Sequence, residues 1–451
     1  LSEQSILHES DNDISFYANI ELKKKKKPSK RQYIIVFYDQ TKGQDLIRQD
    51  YYHIKKIREL NLYPLKKTNF ITKNNLNIPF LVIEDMDEES PFLNMRKPLD
   101  LTHERWVNQK INRYLSKRHF FKKRGQKLLR KNEKFLKVLK THTMSYGLNN
   151  AVFEIVIEFK SRASVEDTRS YVLRITPNND NKVKIKNEAQ RLEEITKDVI
   201  PNPNLYVFEK NPKHLGNRFL ILEKLPGVSV LEYLPNFTEY QAKEFLAHLA
   251  KILGSLHSIR TENYDSYYIL EKITKKYNYP SYIMMEIKRT LKNFKELALD
   301  DELNIEAPYL FKWCKGHKPL LDIHEFSLIH GDIRPSNILA KDHKITGLID
   351  WEMSCHGDPA HDIGWSLFFF KLYDNIKGHR GFFFKEYYKT GVKFNIEARV
   401  YFYEVLAAIK LYIYARYTEI HNSKKYNANW DFFERVKNLV PDYIERITHR
   451  D

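Results

Sequence analysis

No stretch of this chain restricts its fold as much as the ordered string His330-Gly331-Asp332-Ile333-Arg334-Pro335-Ser336-Asn337, then Leu348-Ile349-Asp350-Trp351-Glu352, then Gly357-Asp358-Pro359. Asn337 stands five residues after Asp332, and Asp350 thirteen further on. Between them Ile338-Leu339-Ala340 and Ile345-Thr346-Gly347-Leu348-Ile349 read as two short apolar strands around the turn Lys341-Asp342-His343-Lys344. Such a hairpin returns Asp350 to the end where Asn337 lies, within reach of one cation. Isolated Asp and Asn residues usually cap helices or turns. The complete ordered set is far more specific than His-Gly-Asp alone.

These residue types suit phosphoryl transfer. A carboxylate accepts the proton of an attacking hydroxyl, while an amide and a second carboxylate hold Mg2+ against nucleotide phosphates. The string resembles the catalytic-loop and metal-site signature of the aminoglycoside phosphotransferase and choline kinase superfamily. The resemblance extends to Leu222-Glu223-Lys224-Leu225-Pro226-Gly227, similar to that family's hinge, and to Leu249 through His257, similar to its helix ending in Leu-His. It covers roughly residues 141 to 451. It implies a protein-kinase-like fold acting on small molecules, with Asp332 as catalytic base and Asn337 and Asp350 as metal ligands. It also implies that backbone near Glu223 to Leu225 meets the nucleotide base.

The nucleotide-binding half is read separately. Ser145-Tyr146-Gly147-Leu148-Asn149-Asn150 precedes the alternating strand Val152 to Glu158. A polar turn containing Gly147 and Asn149 is either a phosphate cover, its backbone N–H groups facing anionic oxygens, or an ordinary hairpin turn. The strand Tyr171-Val172-Leu173-Arg174-Ile175 follows, then a helix from about Lys184 containing Glu188. Arg174 and Glu188 occupy the places of the kinase strand lysine and helix glutamate that hold the phosphates. Arginine keeps the charge and can grip phosphate in bidentate fashion, and the resembling superfamily includes choline-kinase-like members with arginine there. A surface salt bridge is the alternative for this pair.

The segment after Asp350 bears on the acceptor. There is no Asp-Phe-Gly, no Ala-Pro-Glu and little room for a peptide platform before Asp362 and the apolar helix Ile363 to Phe370. A small-molecule hydroxyl is therefore expected. Asp362 is expected to hydrogen-bond the catalytic loop or cap its helix, and Glu352 to serve either the metal or the structure.

The first 140 residues hold an internal repeat. Ile47 to Ile57 aligns without gaps on Ile185 to Ile195, and Tyr33 to Tyr38 falls on Tyr171 to Thr176 at the same offset. Phe80 to Met86 matches Phe219 to Leu225 one residue further along. Residues 12–90 thus read as a degenerate second copy of the nucleotide lobe. Val36 stands where Arg174 stands and no His-Gly-Asp loop follows, so this copy is expected not to catalyse, which leaves a docking or regulatory role.

Between the copies lies a charge anomaly. Residues 101–140 carry 14 lysines and arginines against Glu104 and Glu133, a net of +12 in a chain of net +17. With Trp106, Ile111, Leu115, Leu128, Leu129, Phe135 and Leu139 they read as one or two basic helices. Such helices either pack on the same protein or hold an anionic partner, whether nucleic acid or a membrane surface.

Composition sets the outer bounds. With 42% hydrophobic and 14% aromatic residues, the 451-residue chain is globular and long enough for two or three domains. Its two cysteines, Cys314 and Cys355, offer no disulfide framework or metal spacing, which points to a reducing, cytoplasmic compartment. No apolar run reaches membrane-spanning length. The start, Leu1-Ser2-Glu3-Gln4, lacks the blocks of a signal peptide, and its leading Leu suggests a fragment or a processed end.

The expected fold class is α+β, a two-lobed protein-kinase-like fold with an extra N-terminal partial repeat of the N-lobe. Its domains are 1–100 (degenerate repeat), 101–140 (basic helical linker), 141–228 (nucleotide-binding lobe) and 229–451 (mostly helical catalytic lobe). The expected activity is transfer of the γ-phosphate of ATP, with Mg2+, to a hydroxyl of a small molecule. The alternative is a catalytically idle kinase-like scaffold that binds an anionic partner through its basic helix.

Overall fold

The computed structural model describes residues 4–10, 13–22, 29–38, 67–71, 80–85, 100–146, 150–161, 166–176, 182–195, 200–215, 217–263, 265, 278–297, 299, 303, 305–392, 396–422 and 430–448, with side-chain detail beginning at Glu104. The chain divides into two compact units, Leu1–Ile185 with Leu205–Lys224, and Lys186–Asn204 with Leu225–Asp451.

The first unit holds two five-stranded antiparallel sheets. In one, β1 (Gln4–Ser10), β2 (Asp13–Leu22), β3 (Ser29–Tyr38), β4 (Lys67–Ile71) and β5 (Phe80–Asp85) lie in the order β1-β2-β3-β5-β4. In the other, β6 (Glu133–Tyr146), β7 (Ala151–Ser161), β8 (Glu166–Thr176), β9 (Leu205–Glu209) and β10 (Arg218–Glu223) lie in the order β6-β7-β8-β10-β9. Both sheets exchange their last two strands. Tyr33 pairs with Glu84 as Tyr171 pairs with Glu223, and Val36 with Leu81 as Arg174 with Leu220. The repeat read from the sequence is therefore a repeat of topology and, across these strands, of register. Its matched helical stretch, residues 47–57, lies outside the described residues.

The second sheet has a clear inner face. Along β7, Ala151, Phe153, Ile155, Ile157 and Phe159 are buried in strict alternation, as a pleated strand with one face on a core requires. Tyr171, Leu173, Ile175, Val207, Phe219 and Ile221 join them in one cluster. Residues 101–140 complete that core. Helices α1 (Asp100–Leu115) and α2 (Arg118–Lys123) supply Val107, Ile111, Leu115 and Phe120, spaced along one face at helical intervals. Each such side chain contributes about 1.5–3 kcal/mol on burial.

The wholly helical reading of this stretch needs correction, because Glu133–Tyr146 is a strand. Three register shifts interrupt its pairing with β7, between Phe135/Lys137, Val138/Lys140 and Thr143/Ser145. Each bulge flips the parity of the pleat, so the buried positions Phe135, Val138 and Thr141 recur every third residue, as in a helix. The charges are used internally too. The Arg124 guanidinium and the Tyr114 hydroxyl, the latter at 2.8 Å, both donate to the fully buried Glu209 carboxylate. Of the two readings of the basic stretch, this arrangement carries the packing one.

The second unit is mostly helical. After α3 (Lys182–Glu194), which begins in the first unit, come α4 (Val230–Tyr233), α5 (Glu239–His257), α6 (Tyr279–Glu296), α7 (Ala307–Gly316), α8 (Pro359–Lys371), α9 (Arg380–Tyr388), α10 (Glu397–Asn422) and α11 (Trp430–Thr448). Two three-stranded sheets complete it: β11 (Val228–Ser229) with β14 (Ile338–Lys341) and β15 (Lys344–Leu348), and β12 (Arg260–Thr261) with β13 (Phe326–Ile329) and β16 (Cys355–Gly357). Helix α8 is buried on nearly all sides and crosses α10 closely at Gly364. A Cβ there would stand 2.7 Å from the Val400 carbonyl oxygen and from the Tyr403 Cβ. Among the described residues, no helix is long and apolar enough to cross a membrane.

Candidate active site

The site in the second unit is built on the loop after β13 and on the β14–β15 hairpin. Strand β14 pairs antiparallel with β15 from Ile338↔Leu348 to Lys341↔Lys344. The two turn residues, Asp342 and His343, have φ of 50° and 61°, the left-handed pair that a two-residue hairpin of matching twist demands. The Ile349 N–H donates to the Asn337 carbonyl at 3.0 Å, so the hairpin returns Asp350 to the level of Asn337. Asp350 itself has a φ of 71°, and its side chain makes no cap hydrogen bond to the turn that follows. Asn337 does not cap either. Its Nδ2 donates to the Asp332 carbonyl and to Asp332 Oδ2, both at 2.9 Å, which turns its Oδ1 away from Asp332. Asp332, Asn337 and Asp350 are thus brought together as the spacing implied.

The loop carrying Asp332 is fixed from behind. Asp362, on the first turn of α8, accepts the backbone N–H groups of His330 at 2.7 Å and Gly331 at 2.8 Å, one on each carboxylate oxygen. The fully buried His257 lies 3.3 Å from Asp362 through Nε2 and 2.8 Å from the Tyr387 hydroxyl through Nδ1. Burial alone would raise the Asp362 carboxyl, but the hydrogen bond and charge of His257 hold it far below the usual carboxylate range. Asp362 therefore binds the loop and does not cap; the cap is Asp358, which accepts the Ala360 N–H at 3.0 Å. Gly331 has a φ of 82°, and a Cβ there would meet the Met353 carbonyl oxygen at 2.4 Å, so the turn admits only glycine without strain. His330 donates through Nε2 to the Ile349 carbonyl at 3.1 Å and accepts the Asp332 N–H through Nδ1 at 3.3 Å. Burial keeps its imidazole below its ordinary value.

Asp332 sits among donors. Besides Asn337, Trp365 Nε1–H donates to its Oδ1 at 2.9 Å, and Arg334 Nε stands 3.2 Å from its Oδ2. Burial raises its carboxyl above the ordinary value, Arg334 opposes, and the charge of Asp350 adds to the rise. The Asp350 carboxylate thus lies within electrostatic reach of Asp332. Among the described residues no cluster of three His, Cys, Asp or Glu side chains could hold a metal. The Asn337 amide oxygen and the Asp350 carboxylate would give a two-donor oxygen set, whose chemistry suits Mg2+ when phosphates and water complete the shell.

The remaining sequence-derived positions fall as follows. Arg174 is buried on β8 in the first unit, and Glu188 is buried on α3 in the second. Next to Glu188, Asn187 donates to the Glu352 and Ser354 carbonyls at 3.3 and 2.7 Å, tying α3 to the segment after Asp350. Glu223 ends β10 opposite Tyr171. Leu225 is buried against Gly347 of β15, where an added Cβ would crowd the end of the leucine side chain. Gly147 and Asn149 lie outside the described residues. Sequence reasoning assigned no role to Trp365 or His257; their signal was positional, Trp365 three residues after Asp362 and His257 at the end of α5.

Residues 157–380 match the phosphotransferase enzyme family. This chain resembles that family over about half of its length. The chain is 28% identical over 240 residues to a probable acyl-CoA dehydrogenase (IBR3) of Arabidopsis thaliana, covering 50% of this chain and 27% of that protein. It is 22% identical over 211 residues to acyl-CoA dehydrogenase family member 10 of Mus musculus, covering 46% and 19%. The chain thus spans about a quarter or less of the length of these relatives. Among solved structures, it resembles an aminoglycoside phosphotransferase, APH(4)-Ia, in complex with ADP and hygromycin B (16% identity, 69% of this chain, 95% of that one, TM-score 0.48). It also resembles a macrolide 2'-phosphotransferase of Brachybacterium faecium (15%, 66%, 91%, TM-score 0.40). The matched residues 157–380 include the whole site from His330 to Asp362.

Proposed function

We propose that this chain transfers the γ-phosphate of ATP to a hydroxyl of a small molecule. The observation that carries the reading is the return of Asp350 by the hairpin to the level of Asn337, beside an Asp332 whose Oδ2 accepts from Asn337. The acceptor oxygen forms a bond to the γ-phosphorus, the bond from that phosphorus to the ADP oxygen breaks, and the acceptor proton passes to the Asp332 carboxylate. Asn337 Oδ1 and the Asp350 carboxylate would hold Mg2+, which neutralises phosphate charge when bound. In the nucleotide half, Arg174 with Glu188 would hold phosphates, the turn containing Gly147 and Asn149 would cover them, and backbone from Glu223 to Leu225 would meet the base. The boundary expected at 100 belongs to the same reading, while that at 140 falls inside β6 and that at 228 inside β11. The absence of an Asp-Phe-Gly and an Ala-Pro-Glu segment supports a small acceptor over a peptide.

A screen of hydroxylated metabolites and antibiotics for acceptor-dependent ADP release tests the proposal. Acceptors that stimulate release in the parent but not in Asp332→Ala are expected. Equal release in both would refute the assignment of the base.

A further inference from the structure

Asp332 has two oxygens, and the donors around them are unequal. Oδ2 accepts from Asn337 Nδ2 at 2.9 Å and has the Arg334 guanidinium 3.2 Å away. Among the described residues Oδ1 accepts one hydrogen bond, from Trp365 Nε1–H at 2.9 Å. A carboxylate oxygen offers two lone-pair positions. Oδ2 is therefore occupied on one side and crowded on the other, while Oδ1 keeps a position open. The indole that holds Oδ1 has little freedom of its own. It lies in an aromatic row along α8, parallel to the His361 ring one turn before it (centroids 6.2 Å apart, planes at 8°) and edge-on to Phe369 one turn after it (5.6 Å). Three residues earlier on the same helix, Asp362 binds the backbone of His330 and Gly331. One rigid helix thus fixes both the backbone of the loop and, separately, the rotation of its reactive carboxylate.

We infer that Trp365 is a positioning residue that locks the Asp332 side chain so that Oδ1, and not Oδ2, takes the proton of the acceptor hydroxyl. The inference rests on the reading of Asp332 as base. The indole touches neither ATP nor acceptor in this role; it acts through Asp332. Losing its N–H frees the carboxylate to rotate about χ2, and misplacing a reacting group by about 1 Å costs on the order of a hundredfold in rate.

Two measurements test it. The first follows ADP release from MgATP alone, with water as acceptor, in the parent, Trp365→Phe, Trp365→Gln and Asp332→Asn. Trp365→Phe keeps an aromatic ring without the N–H; its kcat should fall about ten- to a hundredfold, with KM for ATP and the melting temperature held. Trp365→Gln carries an amide N–H the same number of bonds from its Cβ and should recover part of the loss. Parent kcat in Trp365→Phe overturns the inference, as does a loss shared by KM and melting temperature, or a Gln variant as slow as the Phe variant. If Asp332→Asn turns over like the parent, the reading of the base falls and the inference with it.

The second measurement needs no turnover. The five indole N–H signals in a 15N-correlation spectrum are compared between parent and Asp332→Asn, with Trp365→Phe supplying the assignment. The Trp365 signal should shift most. If it does not move, the contact is absent and the inference fails, whatever becomes of the phosphotransfer reading.

Discussion

The two five-stranded sheets of the first unit share a strand order and, from β3 to β5 and from β8 to β10, a register. They differ in a few positions that carry charge. Val36 faces Leu81 where Arg174 faces Leu220, and Ile71 ends its strand opposite Phe80 where Glu209 ends its strand opposite Phe219. The pattern of apolar alternation suffices to repeat a topology, because it decides only which face is buried. Chemistry needs particular groups in particular places, and the first copy has Val36 and Ile71 where the second has Arg174 and Glu209. A topology can therefore be repeated without its charged groups.

The sharpest way to break this comparison is to disable Asp332, the proposed base, in the loop that only the second copy precedes. Asp332→Ala should lower phosphoryl transfer by about 10^3-fold or more, within the range for removing a general base, while nucleotide binding persists. Residual transfer at the parent rate would mean that another part of the chain catalyses. Next in size is Ile111→Ala in α1, fully buried under the second sheet. It should cost about 2–5 kcal/mol by denaturant melts. A change below about 0.5 kcal/mol would return residues 101–140 to the status of a linker.

Arg174→Ala and Val36→Ala form a matched pair. The first should weaken MgATP binding by about 1.5–3 kcal/mol, the loss of a charge-assisted phosphate contact, and the second should leave it unchanged. Calorimetric titration showing equal losses would make the first sheet a nucleotide site as well.

The smallest effect concerns Glu209. Burial pushes its carboxyl up, but the Asn211 N–H, the Tyr114 hydroxyl and the Arg124 guanidinium hold it below the ordinary value of 4.5. Because its folded value is depressed, its contribution to stability is complete above about pH 4.5 and is lost as pH falls through the lowered value. Melting temperature should decline more steeply on acidification in the parent than in Glu209→Gln; parallel slopes would show that this carboxyl contributes no acid sensitivity. Ile71, its counterpart in the first sheet, has nothing to titrate.

Much of this was legible in the chain. The β14–β15 hairpin followed from apolar runs around four polar residues, and the helix ending at His257 from its resemblance to the family's Leu-His helix. Strand β6 was not legible, because its bulges give buried positions a spacing of three and interleave Lys134, Lys137 and Lys140. The loop-binding role of Asp362 was anticipated as one of two options; Asp358, four residues earlier, took the cap.

By itself the sequence determined the β14–β15 hairpin, the repeat that relates β3 and β5 to β8 and β10, and the three polar residues at one end of a hairpin. These are properties of local pattern, in which side-chain period and turn chemistry act over a few residues. Only the tertiary structure decided which oxygen of Asp332 is held by Trp365, which carboxylate anchors the loop, and that a basic stretch buries its apolar side under β6 to β10. Those outcomes depend on contacts between residues 31 to 105 positions apart, such as Asp362 with Gly331 and with His257. Burial makes such contacts decisive, since a polar group removed from water must find its partner wherever the fold has placed one.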